Sequence, residues 1–290
     1  MPEYLPFDPS PRAPDHILPA GSCDSQFHVF GSPSVYPVRK GAAYEMPTAT
    51  IETALRMHKT LGIERGIIVQ ATTYGADHQV VLDALAVAGP EYKACANALV
   101  LLEAGDAYLQ TLHAAGVRGA RFNRQGLGVS MSEQDFLRCI ARMKEMGWYA
   151  KFQPEAGGIQ SQLPMMESLD IPVMIDHMAR ANPEAGADDP SLQALLRLLA
   201  RGNFWVMLSL TEKVSRAGFP WDDVLPIAQA CIQAAPDRVV WGSDWPHPVS
   251  VKQPPNEGDL MNQLYRYAGS AENARRILVD NPSDFFGFGA

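Results

Sequence analysis

The sequence predicts a single (β/α)8 barrel, an α/β TIM-barrel domain over residues 21–290, with an extended N-terminal arm over residues 1–20. Three observations predict it. Eight short apolar runs alternate with eight amphipathic segments along a 290-residue chain, close to the ~250 residues typical of such barrels. The runs are apolar almost without interruption, as in IIVQA, VMIDH and WVMLS, the pattern of parallel strands covered on both faces. No Gly-x-Gly-x-x-Gly follows the first run, so the rival doubly wound sheet lacks its dinucleotide fingerprint.

Each element has a local reason. The arm is rich in proline, which removes backbone donors and blocks helix, so it either packs over a surface or lies loose. Strand 1 spans Cys23–Phe30. Residues 50–61 then put Ala54, Leu55, Met57 and His58 at helical spacing, with Thr48 or Thr50 placed to cap. Strand 2 (Gly66–Ala71) leads to a helix over 76–88, and strand 3 (Ala94–Val100) to one near 105–115. After strand 4 (Val117–Asn123), Ser132 and Asp135 form a near capping box, and Gly147 ends that helix. Strands 5 (Tyr149–Pro154), 6 (Pro172–His177), 7 (Phe204–Ser209) and 8 (Val239–Asp244) follow. Their helices lie near 157–168, 190–201, 221–235 and 257–268.

Composition narrows the function. With 24 Lys+Arg against 32 Asp+Glu the net charge is −8, which disfavours nonspecific binding to nucleic acid or anionic membrane. No stretch reaches the ~20 apolar residues of a bilayer span, and the first residues carry no charged-then-apolar signal pattern. Cys23, Cys95, Cys139 and Cys231 are scattered, as reduced thiols are. A soluble cytoplasmic enzyme is the expectation, with its oligomeric state open.

In a barrel of this kind the loops after the strands build the active face. The strand ends here are polar: Asp24-Ser25-Gln26-Phe27-His28, Gln70-Ala71-Thr72-Thr73-Tyr74, Arg121-Phe122-Asn123-Arg124 and Gln153-Pro154-Glu155. Strand 6 ends Asp176-His177-Met178-Ala179-Arg180, strand 7 runs into Ser209 to Lys213, and strand 8 ends in Trp-Gly-Ser-Asp244-Trp-Pro-His247. Buried polar groups cost free energy unless paired, so a ring of them argues for a site.

The strand-1 Asp-x-Gln-x-His, the histidine closing strand 6 and the WGSDWPHP of strand 8 resemble the amidohydrolase superfamily. Within it the resemblance is to small lactone hydrolases of the 2-pyrone-4,6-dicarboxylate type, with galactarolactone isomerases nearby. It covers roughly residues 17–288 and includes IDHMAR, GNFWVMLS and ILVDNPSDFFGF. The superfamily's first motif is His-x-His, and here Gln26 stands first. A neutral amide is a poor transition-metal ligand beside imidazole. The expectation is therefore no cofactor; were a divalent metal present, its ligands would be His28, His177, Asp244 and Asp24.

The resemblance implies that Asp244 activates water, while His28, His177 and Gln26 polarise the lactone carbonyl. It implies substrate-carboxylate contacts for Arg121, Arg180 and Lys213, with Arg124 nearby. Tyr44 matches a substrate-binding tyrosine, and Thr73 and Tyr74 are positioned to add hydroxyl contacts. The family has arginine where Lys213 stands, and a second arginine beyond strand 4 is absent at Gly126-Leu127-Gly128. The expected partner is a small carboxylated lactone, from aromatic or sugar-acid catabolism. Three readings compete with the hydrolase. Gln26 favours a lactone isomerase of the galactarolactone type; a metal-dependent hydrolase or decarboxylase and a non-catalytic carboxylate-binding barrel are the others.

Overall fold

The computed structural model describes residues 3–123 and 131–289. Eight strands run parallel in sequential order. They are β1 (Cys23–Phe27), β2 (Arg65–Val69), β3 (Tyr92–Asn97), β4 (Val117–Phe122), β5 (Tyr149–Phe152), β6 (Val173–Ile175), β7 (Phe204–Leu208) and β8 (Val239–Trp241). Between β8 and β1 two backbone bonds beyond the strand ends close the ring. Asp244 N donates to the Gln26 carbonyl at 2.9 Å, and His28 N to that of Trp245 at 2.7 Å. The (β/α)8 barrel expected from the alternation is the architecture observed.

Several boundaries move, for local reasons. The third apolar run stops pairing at Asn97, and Val100–Glu103 turns helical. The helix expected over 157–168 is only Leu163–Glu167, because Pro164 has no N–H to donate and fits only a first turn. Pro226 likewise starts the helix Leu225–Ala234. Ser132 caps Glu133–Met146 by accepting from Asp135 N at 3.1 Å, and Gly147 ends that helix with φ 63°. Thr50 occupies the cap of Ile51–Leu61 without a side-chain bond.

Apolar burial is split by the sheet. Outward-facing residues such as Phe27, Ile68 and Val206 pack under the helices. Inward-facing Ile67, Val69, Cys95, Met174, Met207 and Val240 fill the barrel. Tyr149, the first residue of β5, packs on Phe286 at 5.6 Å between ring centroids, and Phe288 joins the same cluster. This aromatic plug seals the N-terminal end of the strands, so the site must open at the other end.

The arm packs over that open end. Leu5 N donates to the Ser250 carbonyl, Phe7 lies 4.7 Å from Trp245 between ring centroids, and Arg12 N donates to Asn256 Oδ1. It thus braces the loop that follows β8. All four cysteines are buried and unpaired, with burial pushing each thiol up. Among the described residues no helix is long and apolar enough to cross a membrane.

Candidate active site

Four strand-end residues converge on one cavity of about 80 Å³: His28 after β1, Arg121 in β4, His177 after β6 and Asp244 after β8. All are buried, at 3%, 6%, 2% and 4% exposure, which a core would not tolerate in unpaired polar groups. Tyr44, Arg180 and Lys213 line the same cavity. It adjoins an outer chamber of about 440 Å³, with Arg180, Leu210 and Lys213 lining both.

Asp244 is the most heavily constrained group. Gln26 Nε2 donates to its Oδ1 at 2.7 Å, and His28 Nε2 lies 3.3 Å from the same oxygen. Burial works to raise its carboxyl. The His28 hydrogen bond, with the neighbouring imidazoles and Lys213, prevails and holds it well below the usual carboxylate range. Asp244 is therefore an anion at neutral pH. Its backbone sits in the left-handed region at φ 60°, a conformation that costs a non-glycine residue energy and recurs at functional sites. Gly242 makes the approach feasible, since a Cβ there would lie 2.9 Å from both Gln26 Cβ and Met207 Sδ.

The histidines differ in what holds them. His28 Nδ1 lies 2.7 Å from the Val69 carbonyl, which only accepts, so Nδ1 carries a proton. Its contact with Asp244 is then attractive only when Nε2 is protonated too. His177 Nδ1 lies 2.8 Å from Ser209 Oγ. Burial pushes His177 down to about 4, so its ring is neutral at pH 7. In the tautomer in which the Ser209 hydroxyl donates to Nδ1, the proton sits on Nε2 and is available as a donor.

His177 opens a segment in which His177, Met178, Ala179 and Arg180 all have positive φ, between 49° and 57°. Left-handed backbone costs roughly 1–2 kcal/mol per residue, so about 4–8 kcal/mol is held here. The tight turn brings His177 and Arg180, three residues apart, to the same cavity, while Met178 and Ala179 are fully buried beneath. Burial lowers the Arg180 guanidinium from its usual value, against the pull of Asp244 and Glu212. Lys213 Nζ donates to the Pro248 carbonyl at 2.8 Å while still lining the cavity.

Other expected residues are placed differently. Gln26 does not line the cavity; its amide N–H is aimed at Asp244, so it braces the carboxylate instead of meeting a substrate carbonyl. Asp24 accepts from Ser243 N at 2.9 Å, Ser243 Oγ at 2.5 Å, Gln26 N at 3.1 Å and His58 Nε2 at 3.2 Å. Its lone pairs are spent on fixing the seam. Thr73 donates to the Tyr44 carbonyl at 2.5 Å, and Tyr74 accepts from Gly31 N at 3.2 Å. Neither reaches the cavity; Thr72, which opens the short 3-10 turn after β2, does. Burial pushes the Tyr44 phenol up, keeping it a neutral donor. Arg124 lies outside the described residues.

The sequence reading missed Thr72, Asn123 and Gln153 as wall residues and Ser209 as the partner of His177. Strand alternation from Arg121 to Asn123 was the available signal. His247, buried between Glu212 at 3.5 Å and Glu257 at 3.3 Å, anchors the loop carrying Asp244. Burial alone would lower its ring, but the two carboxylates raise it to about 9.

The match to a family model, Amidohydrolase, covers residues 23–288. The chain belongs to the amidohydrolase family. Among amidohydrolase-family relatives, a 4-sulfomuconolactone hydrolase from Hydrogenophaga intermedia is 36% identical over 275 residues, covering 93% of this chain and 90% of that protein. A 2-pyrone-4,6-dicarboxylate hydrolase from Comamonas testosteroni is 34% identical over 291 residues, with 97% and 95% covered. A solved structure of a probable 2-pyrone-4,6-dicarboxylic acid hydrolase from Acinetobacter baumannii, with citric acid bound, superposes with a TM-score of 0.78. At 23% identity, covering 92% of this chain and all of that one, it supports the barrel alone.

Metal centres recur in amidohydrolases, so the donor set matters. Among the described residues no group of three or more His, Cys, Asp or Glu side chains converges with ligand geometry. Asp24 spends its acceptor sites on the seam, the Gln26 amide is held on Asp244, and His28, with Nδ1–H on a carbonyl, turns Nε2 toward Asp244.

Proposed function

We propose that the chain hydrolyses a small lactone carrying an anionic substituent, without a metal, using Asp244 as general base. The observation that carries this reading is a buried, ionised Asp244 held at Oδ1, in the same cavity as two imidazoles and three cationic side chains. Lactone hydrolysis needs a water made nucleophilic and donors for the oxyanion that forms. In this reading the other Asp244 oxygen, Oδ2, takes a proton from water as the water oxygen attacks the carbonyl carbon. Nε2–H of His177 receives the developing oxyanion, while protonated His28, bonded through Nε2 to Asp244 Oδ1, orients the base and lends its positive charge to the carbonyl. The ring C–O bond then breaks, and the leaving oxygen departs as an enolate or alkoxide that regains the proton.

Arg121, Arg180 and Lys213 supply the anion recognition. Guanidinium pairs with carboxylate or sulfonate through a planar fork, whereas lysine offers a point charge. The relatives named for sulfomuconolactone and pyrone dicarboxylate are consistent with such a substrate. Gln26, the residue that pointed toward an isomerase, here serves the base, which supports hydrolysis.

The test is a pH-indicator assay on a panel of lactones bearing carboxylate or sulfonate, with and without chelator. Chelator-insensitive acid release is expected. Activity abolished by chelation and restored by metal would overturn metal independence. Ring rearrangement without acid release, seen by chromatography, would make the enzyme an isomerase.

A further inference from the structure

The barrel interior holds an ion cluster of which the reaction above uses only Arg121. Arg121 on β4 and Lys151 on β5 are register partners. Asp176, one residue beyond β6, extends the ladder by donating its N–H to the Phe152 carbonyl at 3.0 Å. Its side chain meets both cations. Lys151 Nζ lies 2.5 Å from Asp176 Oδ1, and Arg121 Nη1 lies 3.7 Å from Oδ2. Side-chain exposures are 1% for Lys151, 0% for Asp176 and 6% for Arg121.

The two contacts are unequal, and the inequality has a consequence for the cavity. Two cations share one carboxylate, so one positive charge is left over. The short contact belongs to Lys151, which does not line the cavity. The long one belongs to Arg121, which does, and 3.7 Å is beyond hydrogen-bond range. A guanidinium beside a buried, unneutralised carboxylate would close on it as a two-bond fork. Its donors would then point inward, away from any ligand. Lys151 prevents this by meeting Asp176 first. Its other hydrogen-bond contact among the described residues is the Met207 thioether at 3.7 Å, so packing alone would be served as well by an apolar side chain.

We propose that Lys151 is a positioning residue: by neutralising Asp176 from inside the barrel, it reserves the Arg121 guanidinium for an anionic group of the substrate. The proposal rests on the reading of this cavity as a site for an anionic lactone, and it assigns Lys151 no contact with substrate. Removing Lys151 alone lets Asp176 capture Arg121. Removing Asp176 as well frees Arg121 again.

The experiment compares wild type, Lys151→Met and the double variant Lys151→Met/Asp176→Asn, each checked for folding by near-ultraviolet circular dichroism. Affinity for benzene-1,3-dicarboxylate is measured by calorimetry, and kcat and KM for whichever anionic lactone is turned over. Lys151→Met is expected to weaken the dicarboxylate and raise KM by about tenfold or more, the worth of a charge-assisted pair, with kcat within about threefold. The double variant is expected to recover both to within about threefold of wild type. Wild-type affinity in Lys151→Met overturns the proposal, as does a folded double variant that stays about tenfold weak. If Lys151→Met does not fold, the double variant decides by the same criterion. If no lactone is turned over, the functional reading fails, while the dicarboxylate affinities still decide this one. A wild type that does not bind the dicarboxylate overturns the proposal too.

Discussion

Replacing Asp244 with asparagine isolates the one step on which the functional reading depends. Asparagine keeps an oxygen where Gln26 donates at 2.7 Å and His28 approaches at 3.3 Å, so the pocket should hold its shape. What disappears is the capacity to take a proton from water. General-base catalysis contributes about 10²–10⁴-fold, so kcat is expected to fall by that factor, about 3–5 kcal/mol of transition-state stabilisation. Substrate affinity should move the other way or not at all. The cavity keeps Arg121, Arg180 and Lys213 and loses a negative charge, so KM for an anionic lactone is expected to stay level or fall. The measurement is steady-state acid release on the best lactone of the panel, with thermal melting and circular dichroism run on the same preparation. A folded Asp244→Asn protein that retains more than about a tenth of wild-type kcat would refute the assignment of the base.

Three further expectations follow from the same geometry. His177 is neutral in the fold and titrates near 4, against about 6.5 unfolded, so its stabilising contribution is complete above 6.5 and is lost as pH falls toward 4. That is about 3 kcal/mol, and His177→Asn should flatten this part of the melting-temperature profile, leaving the slope from His78, also pushed down to about 4 by burial. His247 has the opposite sign: raised to about 9, it stabilises fully below 6.5 and loses that contribution as pH rises through 9. His247→Gln should remove the loss between about 6.5 and 9, leaving the loss at higher pH from the buried thiols and phenols, and, by loosening the Asp244 loop, lower kcat more than it changes KM. Phe7→Ala removes the ring tilted against Trp245 at 4.7 Å between centroids and is expected to lower the melting temperature by about 2–4 °C, read by calorimetry.

The barrel was legible because its evidence is local and repeated: apolar runs of strand length, helix-period segments between them and polar residues at the strand ends. His28, Arg121, His177, Arg180, Lys213 and Asp244 were readable on the same logic, and they do share a cavity. Errors of one residue are of another kind. Thr72 and Thr73 lie in a short 3-10 turn after β2, where strand alternation no longer says which side chain faces the cavity. Long-range pairings left no trace at all. Nothing in the helix 50–61 signals that His58 reaches Asp24, and nothing in YAKF names the partner of Lys151, although an ionisable residue at an inward position of β5 was itself visible. Gln26 was seen as a substitution, but its service to Asp244 depends on the closed seam between the first and last strands.

The left-handed segment His177–Arg180 sets backbone relief against core packing in the choice of residues 178 and 179. Glycine would relax the backbone there, because it alone enters that region without penalty. At 178 the same change would empty a fully buried methionine site, which costs about 2–5 kcal/mol against the roughly 1–2 kcal/mol of strain relieved. At 179 only a methyl is lost, about 0.8 kcal/mol, and the two effects nearly cancel. In a deep mutational scan abundance would therefore hold Met178 against glycine while tolerating it at Ala179.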